Sequence, residues 1–343
     1  MKHDIKILFV WTGVTSYMAD CWRRLQSIDG VELKIVIENV HSGRAFDSGS
    51  VLSGFDYALV GGGAADADRT AALDALLSNW TPDVVFAVGW HSHVVKELVL
   101  RPDWRRTPKV CCFDMPWRWS ARCVVARWAL HPFIRHYSAA YVPGRLCARY
   151  AAWLGFPRIE KGLFSIDATR LRNAATGETR VGFLYVGRYS SEKRVDLVER
   201  AHQRYRELGG AWELDCYGQG GRFAQPDEMP GIYASHACLL LASEFDPWPL
   251  VALEARTAGC DVIMSDRCGN RFELPGVKVV SFGDVEAMAS EMLLLEGRRK
   301  KEEGIGSAED GAADEALAQY DCAAWASRTL RLAEDLVKGG ANK

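Results

Sequence analysis

The sequence has no C-x-x-C spacing, although ten of its 343 residues are cysteine. Zinc ribbons and thioredoxin-type redox centres need that spacing, and adjacent Cys111 and Cys112 do not supply a ligand pair, so neither class is expected. No apolar run approaches the roughly eighteen residues that span a bilayer, so no transmembrane helix is expected. The opening "MKHDIKILFVWTG" has too short an apolar core for a signal peptide and reads as a first strand. Without an export signal, buried free thiols in a reducing cytoplasm are the expectation. No repeat of 20–50 residues is visible, which excludes solenoids and propellers. The net charge is only −2 and selects no class of partner as a total.

What is present is an ordinary globular composition, 48% apolar and 25% charged. The length is natural for two domains. The distribution of charge says more than its sum. Between Arg101 and Arg172 there are fourteen Lys/Arg against four Asp/Glu, a local excess of ten. Such a region suits an anionic partner: a lipid surface, a phosphorylated substrate or a polyanion. Solvated surface arginines are the simpler alternative. No nucleic-acid readout motif accompanies the charge, so no nucleic-acid partner is expected.

Short apolar runs alternate with segments able to hold helices. "IKILFV", "VELKIVI", "FDYALV", "DVVFAV", "KVCCF" and "AAYV" are strand candidates in the first half. The pattern restarts near residue 181 with "VGFLYV", "AWELDCY", "HACLLLA", "CDVIMS" and "VKVVSF". Strands separated by helices predict parallel β-α-β units and two doubly wound sheets. Polar "SIDATRLRNAATGETR" is the expected linker, and "LAQYDCAAWASRTLRLAEDLV" the expected final amphipathic helix. Boundaries follow at 1–170, 171–318 and 319–343. Two such domains leave a crevice, with ligands beyond the carboxyl ends of the strands.

Three stretches carry candidate chemistry. In "VGFLYVGRYSSEKRVDLVERAHQRYRELGG" a strand ends at Gly187 and a helix is expected from Ser190 or Ser191, both good caps. Val195, Val198, Ala201, Tyr205 and Leu208 form its expected buried stripe. Arg188 and Lys193 then flank a helix N-terminus, a combination that suits a diphosphate; two solvated surface cations are the alternative. In "LDCYGQGG", Gly218 and Gly220 follow a strand and permit close backbone approach to a ligand; a plain turn reads equally well. In "SEFDPWPLVALEARTAGCDVIMSD", Pro249 opens a short helix that begins with Leu250 and Val251 and stops at Gly259. Glu254 falls in its second turn. A buried carboxylate needs donors, and a ribose offers two hydroxyls. A glutamate pointing to water, or paired with Arg256 or Arg271, is the alternative.

The order strand, "GRxxxEK", helix, "GxG", then acid-x₇-"EA"-x₃-"G" resembles the C-terminal half of family 4 glycosyltransferases over about residues 181–275. The resemblance implies an α/β chain of GT-B fold, two Rossmann-like domains facing a cleft. It implies a nucleotide-diphosphate sugar donor, a glycan or lipid-linked glycan acceptor, and transfer with retention. It places Arg188 and Lys193 on the diphosphate, Asp246 near donor-sugar hydroxyls, and Glu254 on the ribose. Leu250 and Val251 fall at the donor-binding helix start, and Gly13, in "TGVTSYM", in a loop near the donor phosphates. The cations would replace Mg²⁺, so no metal or other cofactor is expected. The last helix would cross back onto the first domain. The sequence departs from the family pattern in carrying Asp246 for its first glutamate and "FS" for the "NG" before Asp167. It also has Phe113, followed by Asp114, where many members have histidine. Asp114, His91 and His93 are the remaining polar candidates there. A sugar-nucleotide epimerase of the same fold, or a non-catalytic scaffold in a polysaccharide pathway, are the alternatives.

One further stretch, "DMPWRWSARCVVARWALHPFIRHY", interleaves Trp117, Trp119, Trp128 and Phe133 with Arg118, Arg122, Arg127 and Arg135. Arg118 and Arg122 are expected on one helix face. Trp with Arg is the composition of a segment lying at a membrane interface, so peripheral attachment to an anionic inner leaflet is the expectation. A helix with core tryptophans, whose arginines are solvated or bind a phosphate on a soluble acceptor, is the alternative.

Overall fold

The computed structural model describes residues 4–39, 51–61, 66–174, 180–218, 222–301 and 315–341. The chain divides into two compact units, Met1–Ser165 with Cys322–Lys343, and Ile166–Asp321.

The first unit is built on seven parallel strands in the order β3-β2-β1-β4-β5-β6-β7. In chain order they are β1 (Ile5–Gly13), β2 (Val31–Asn39), β3 (Asp56–Leu59), β4 (Val84–Val88), β5 (Lys109–Cys112), β6 (Ala139–Val142) and β7 (Ile159–Lys161). Side chains alternate across a strand, and β1 shows it. Leu8 and Val10 enter the core on one face, Ile7, Phe9 and Trp11 the core on the other. Both faces are therefore covered, which is why these strands read as near-continuous apolar runs.

Helices α1 (Ser16–Gln26), α2 (Asp66–Leu77), α3 (His93–Val99), α4 (Ala121–Ile134) and α5 (Arg145–Leu154) connect the strands. The C-terminal helix, Cys322–Ala341, is numbered α11 below. It packs on the face of α1. Its Trp325 is fully buried, stacks near Tyr141 and donates from Nε1 to the Leu163 carbonyl at 2.8 Å. The sulfurs of Cys21 and Cys322 lie 3.5 Å apart, and all ten cysteines are free thiols.

The second unit holds five parallel strands in the order β12-β11-β10-β8-β9. They are β8 (Phe183–Val186), β9 (Leu214–Tyr217), β10 (Cys238–Leu241), β11 (Asp261–Ser265) and β12 (Lys278–Val280). Helix α6 (Ala168–Asn173) precedes β8, α7 (Val195–Glu207), α8 (Met229–Ser235) and α9 (Leu250–Thr257) run between the strands, and α10 (Val285–Lys301) follows β12. The two ends of this unit are neighbours. Ile166 pairs with Asp321, its amide donates to the Tyr320 carbonyl at 2.9 Å, and the Ala168 amide donates to the Asp321 carboxylate at 3.1 Å.

Every strand expected from the sequence is present. β7 is additional, three residues long and too short to register as a pattern. The expected linker is partly helical, because Asp167 caps α6 by accepting from the Arg170 amide at 3.1 Å. Arg118 lies before α4 begins at Ala121, so it does not share a face of that helix with Arg122.

In both sheets the strand order reverses once, between β1 and β4 in the first and between β8 and β10 in the second. Loops leaving two such strands diverge to opposite faces and open a crevice at their carboxyl ends. The loops that follow β8 and β10 carry Arg188, Lys193 and Asp246.

Candidate active site

β8 is followed by Gly187, whose amide donates to the Tyr217 carbonyl at 3.0 Å. The next strand ends against it, since a Cβ on Gly218 would lie 2.0 Å from the Gly187 carbonyl oxygen. Gly218 also has φ +130, which side-chain-bearing residues rarely adopt. Gly218→Ala is therefore expected to cost at least about 2 kcal/mol, since strained backbone alone costs about 1–3 kcal/mol and a backbone oxygen cannot rotate away. A lowered thermal midpoint checks this; an unchanged one would remove the close approach. Gly220 lies outside the described residues.

The loop from Arg188 differs from the sequence expectation. Ser190 and Ser191 do not cap the helix; α7 begins at Val195 with Arg194 as its N-cap. The amides of Lys193 and Arg194 both donate to the Ser190 carbonyl, at 3.0 and 3.2 Å, so a turn occupies the stretch first assigned to the helix. Arg194 has φ 50, left-handed for a non-glycine residue. Its guanidinium holds both oxygens of Asp196, in the first turn, at 2.8 Å. Leu197, Val198, Ala201 and Tyr205 are the buried positions of α7, whereas Leu208 is exposed.

This turn sends Lys193 to Asp246. The two side chains form an ion pair, with Asp246 only 6% exposed. Asp246 is fixed by its backbone as well. Its carbonyl accepts from the Gly269 amide at 2.8 Å, and a Cβ on Gly269 would meet the Pro247 carbonyl oxygen at 1.8 Å. The carboxylate one methylene shorter than glutamate thus sits against the lysine. Arg188 is exposed and has no ion-pair partner among the described residues, while its carbonyl accepts from the buried Tyr185 hydroxyl at 3.0 Å.

Glu254 lies in the second turn of α9. Its carboxylate accepts from the Tyr233 hydroxyl at 2.7 Å. Burial pushes its pKa up, against the opposing pull of that hydrogen bond and of the Arg170 charge. Neither arginine first considered as a partner is available. Arg256 holds the Pro275 carbonyl and Asp261, and Arg271 donates to the Cys268 carbonyl. The amides of Leu250 and Val251, half-buried at the start of α9, are among those that a helix leaves without intrahelical acceptors. Tyr233 and Arg170 were not legible as site residues, since neither stands in a motif with Glu254.

In the first unit, Gly13 ends β1 opposite Asn39. Thr15, the N-cap of α1, makes no capping bond, and its Oγ1 is buried without a partner. His91 and His93 are exposed and flank Ser92, which caps α3 by accepting from the Val95 amide at 3.0 Å. His93 lies 4.0 Å from Glu97. Phe113 is buried among Trp90, Tyr150 and Phe156 and is a core residue. Asp114 is exposed, and its carbonyl accepts from the Cys147 thiol. The expectation of a metal-free site goes with the absence of an Asp-x-Asp motif, but the chain does contain one such spacing, Asp66 and Asp68. It falls at the start of α2. Among the described residues no three acidic, histidine or cysteine side chains form a metal-sized group.

The sequence matches no family model and no curated protein. Solved structures do match. A glycosyltransferase from Rickettsia africae superposes with a TM-score of 0.75 at 10% identity, over 98% of this chain and 100% of that one. Sucrose-phosphate synthase from Thermosynechococcus elongatus gives 0.71 at 11%, over 97% and 100%. The apo lipopolysaccharide outer core galactosyltransferase WaaB gives 0.64 at 14%, over 95% and 98%. Identities this low carry the architecture alone, and the architecture is clear: two parallel, doubly wound α/β sheets in chains matched from end to end, so this protein has the GT-B fold.

Proposed function

We propose that the protein transfers a sugar from a nucleotide-diphosphate sugar to a hydroxyl of a glycan or lipid-linked glycan, with retention of configuration. The observation that carries this reading is the cluster at the reversal of the second sheet. There the loop after β8 carries exposed Arg188 and, five residues on, Lys193, which pairs with Asp246 from the loop after β10, while α9 presents the half-buried carboxylate of Glu254, which accepts from Tyr233.

In this reading the donor diphosphate takes up Arg188, Lys193 and the free amides of Leu250 and Val251. Those groups stabilise the negative charge that develops as the glycosidic bond breaks. Glu254 accepts the ribose hydroxyls through the oxygen that Tyr233 does not hold. Asp246 holds the lysine ammonium in place before the donor arrives and faces the donor sugar. The acceptor hydroxyl attacks from the face the leaving group vacates, and a phosphate oxygen takes its proton. Positive side chains do the work of Mg²⁺, so turnover is expected to survive EDTA. A reducing, cytoplasmic setting belongs to the proposal and suits ten free thiols.

Thermal shift against UDP, GDP, ADP, dTDP and CMP is the first test. One diphosphate should raise stability, by about 2.7 kcal/mol at a hundredfold excess over Kd, and CMP should do less. The matching nucleotide sugar should then glycosylate an acceptor with retained anomeric configuration by NMR. Stabilisation by none of the five, or donor interconversion without any acceptor, would overturn the transferase reading.

A further inference from the structure

Helix α4 turns an apolar stripe outward. Ala121, Val125, Trp128 and Pro132 stand at i, i+4, i+7 and i+11, one side of a helix. All four are exposed, Val125 by 56% and Trp128 by 62%. Trp119, just before the capping Ser120, is 87% exposed. The opposite side faces inward: Cys123 and Ile134 are buried, and Ala126, Leu130 and Phe133 pack on the core. Cations flank the stripe. Exposed Arg122 lies on one side, and exposed Arg127 and Arg135 lie on the other. Arg127 also reaches the Trp153 carbonyl at 2.8 Å, which anchors the helix. From residue 115 to residue 159 the chain contains no Asp or Glu.

We propose that this face docks on an anionic lipid surface, with α4 lying in the plane of the headgroups. Exposed indoles at one side of a helix suit the boundary between headgroup and acyl chain, and flanking arginines suit phosphate headgroups. A folded protein partner fits less well. The stripe is one helix wide and about 17 Å long, far short of the roughly 800 Å² per partner that a stable interface buries. Among the described residues no helix is long and apolar enough to cross a membrane, so the contact is peripheral. Docking goes beyond the transferase reading, since Arg188, Lys193, Asp246 and Glu254 all belong to the other unit. Only its corollary, that a lipid-linked acceptor is met at this surface, rests on that reading.

Flotation of the full chain with vesicles tests the docking. The protein should float with phosphatidylcholine–phosphatidylglycerol vesicles at low salt, stay behind at high salt, and stay behind with phosphatidylcholine alone. Trp119→Ala with Trp128→Ala, and separately Arg122→Ser with Arg135→Ser, should each weaken flotation about tenfold. These side chains are exposed, so the thermal midpoint and nucleotide binding should not change. Three results would overturn the proposal: no flotation with anionic vesicles; flotation equal in both variants; or a dimer, seen by sedimentation, that the tryptophan variant abolishes without any vesicle binding. Salt-sensitive retention on heparin without vesicle binding would reassign the face to a soluble polyanion. None of these outcomes requires catalysis, so failure here is separable from failure of the nucleotide test.

Discussion

Replacing Arg188 with alanine is expected to lower kcat on the order of a hundredfold and to leave the fold intact. A charge that meets the leaving group acts mainly as the bond breaks, and removing one such contact costs that much. Arg188 is exposed, so its side chain carries little of the packing. Lys193→Ala is a different experiment. Asp246 is only 6% exposed and the lysine is its ion-pair partner, so the mutation strands a buried carboxylate. Breaking such a pair from one side costs about 3 kcal/mol or more, which would lower the thermal midpoint as well as the rate. The spacing alone gave no warning of this, since it presented Lys193 purely as a clamp. Lys193→Met with Asp246→Asn should recover most of the stability and none of the turnover. Wild-type kcat in Arg188→Ala, or recovered turnover in the double variant, would remove the clamp.

Glu254→Gln is expected to weaken nucleotide binding by about 1.5–3 kcal/mol, roughly ten- to a hundredfold, because an amide replaces a charged acceptor of two hydroxyls. Calorimetric titration with the nucleotide that stabilises the protein measures it; unchanged affinity in a folded variant would end the ribose assignment. The same residue predicts a pH dependence. Burial raises the Glu254 pKa, with Tyr233 and Arg170 the charged or titratable groups that oppose it. Nucleotide affinity should therefore fall on acidification at a pH above the ordinary glutamate range. The contribution to folding has the opposite sign. A raised acid pKa favours the fold fully below the unfolded pKa, and that benefit is lost as pH rises through the folded value. Tyr233→Phe removes a donor to the carboxylate and should move the acidic limb of nucleotide binding to higher pH. A loss of affinity uniform across pH would mean that Tyr233 only packs.

The strands were legible because parallel strands buried on both faces must be apolar throughout, as Val84–Val88 and Cys238–Leu241 are. The loops that carry the candidate site were legible for a topological reason, since ligands gather where strand order reverses. What the sequence withheld was pairing. Lys193 and Asp246 are separated by 53 positions and Tyr233 and Glu254 by 21, and no local rule selects either partner. The helix start failed differently. Two serines look like caps, but the Ser190 carbonyl draws the next amides into a turn and leaves Arg194 to open α7.

The neighbouring ends of the second unit have a consequence for how the chain is made. Ile166 is bonded to Tyr320 and paired with Asp321, so residues 166–321 form a closed insertion within the first unit. A ribosome working from the N-terminus makes the whole insertion before α11, so the first unit waits for that helix. At about 5–20 residues per second the wait lasts roughly 10–30 s. During it, the sheet face that Trp325 will cover, around Phe9 and Tyr141, stays open beside α1. The outer unit therefore cannot complete its core until α11 arrives, however early residues 166–321 fold. A chain stopped at residue 321 would carry a complete second sheet and a first sheet bare where Trp325 packs on Phe9 and Tyr141.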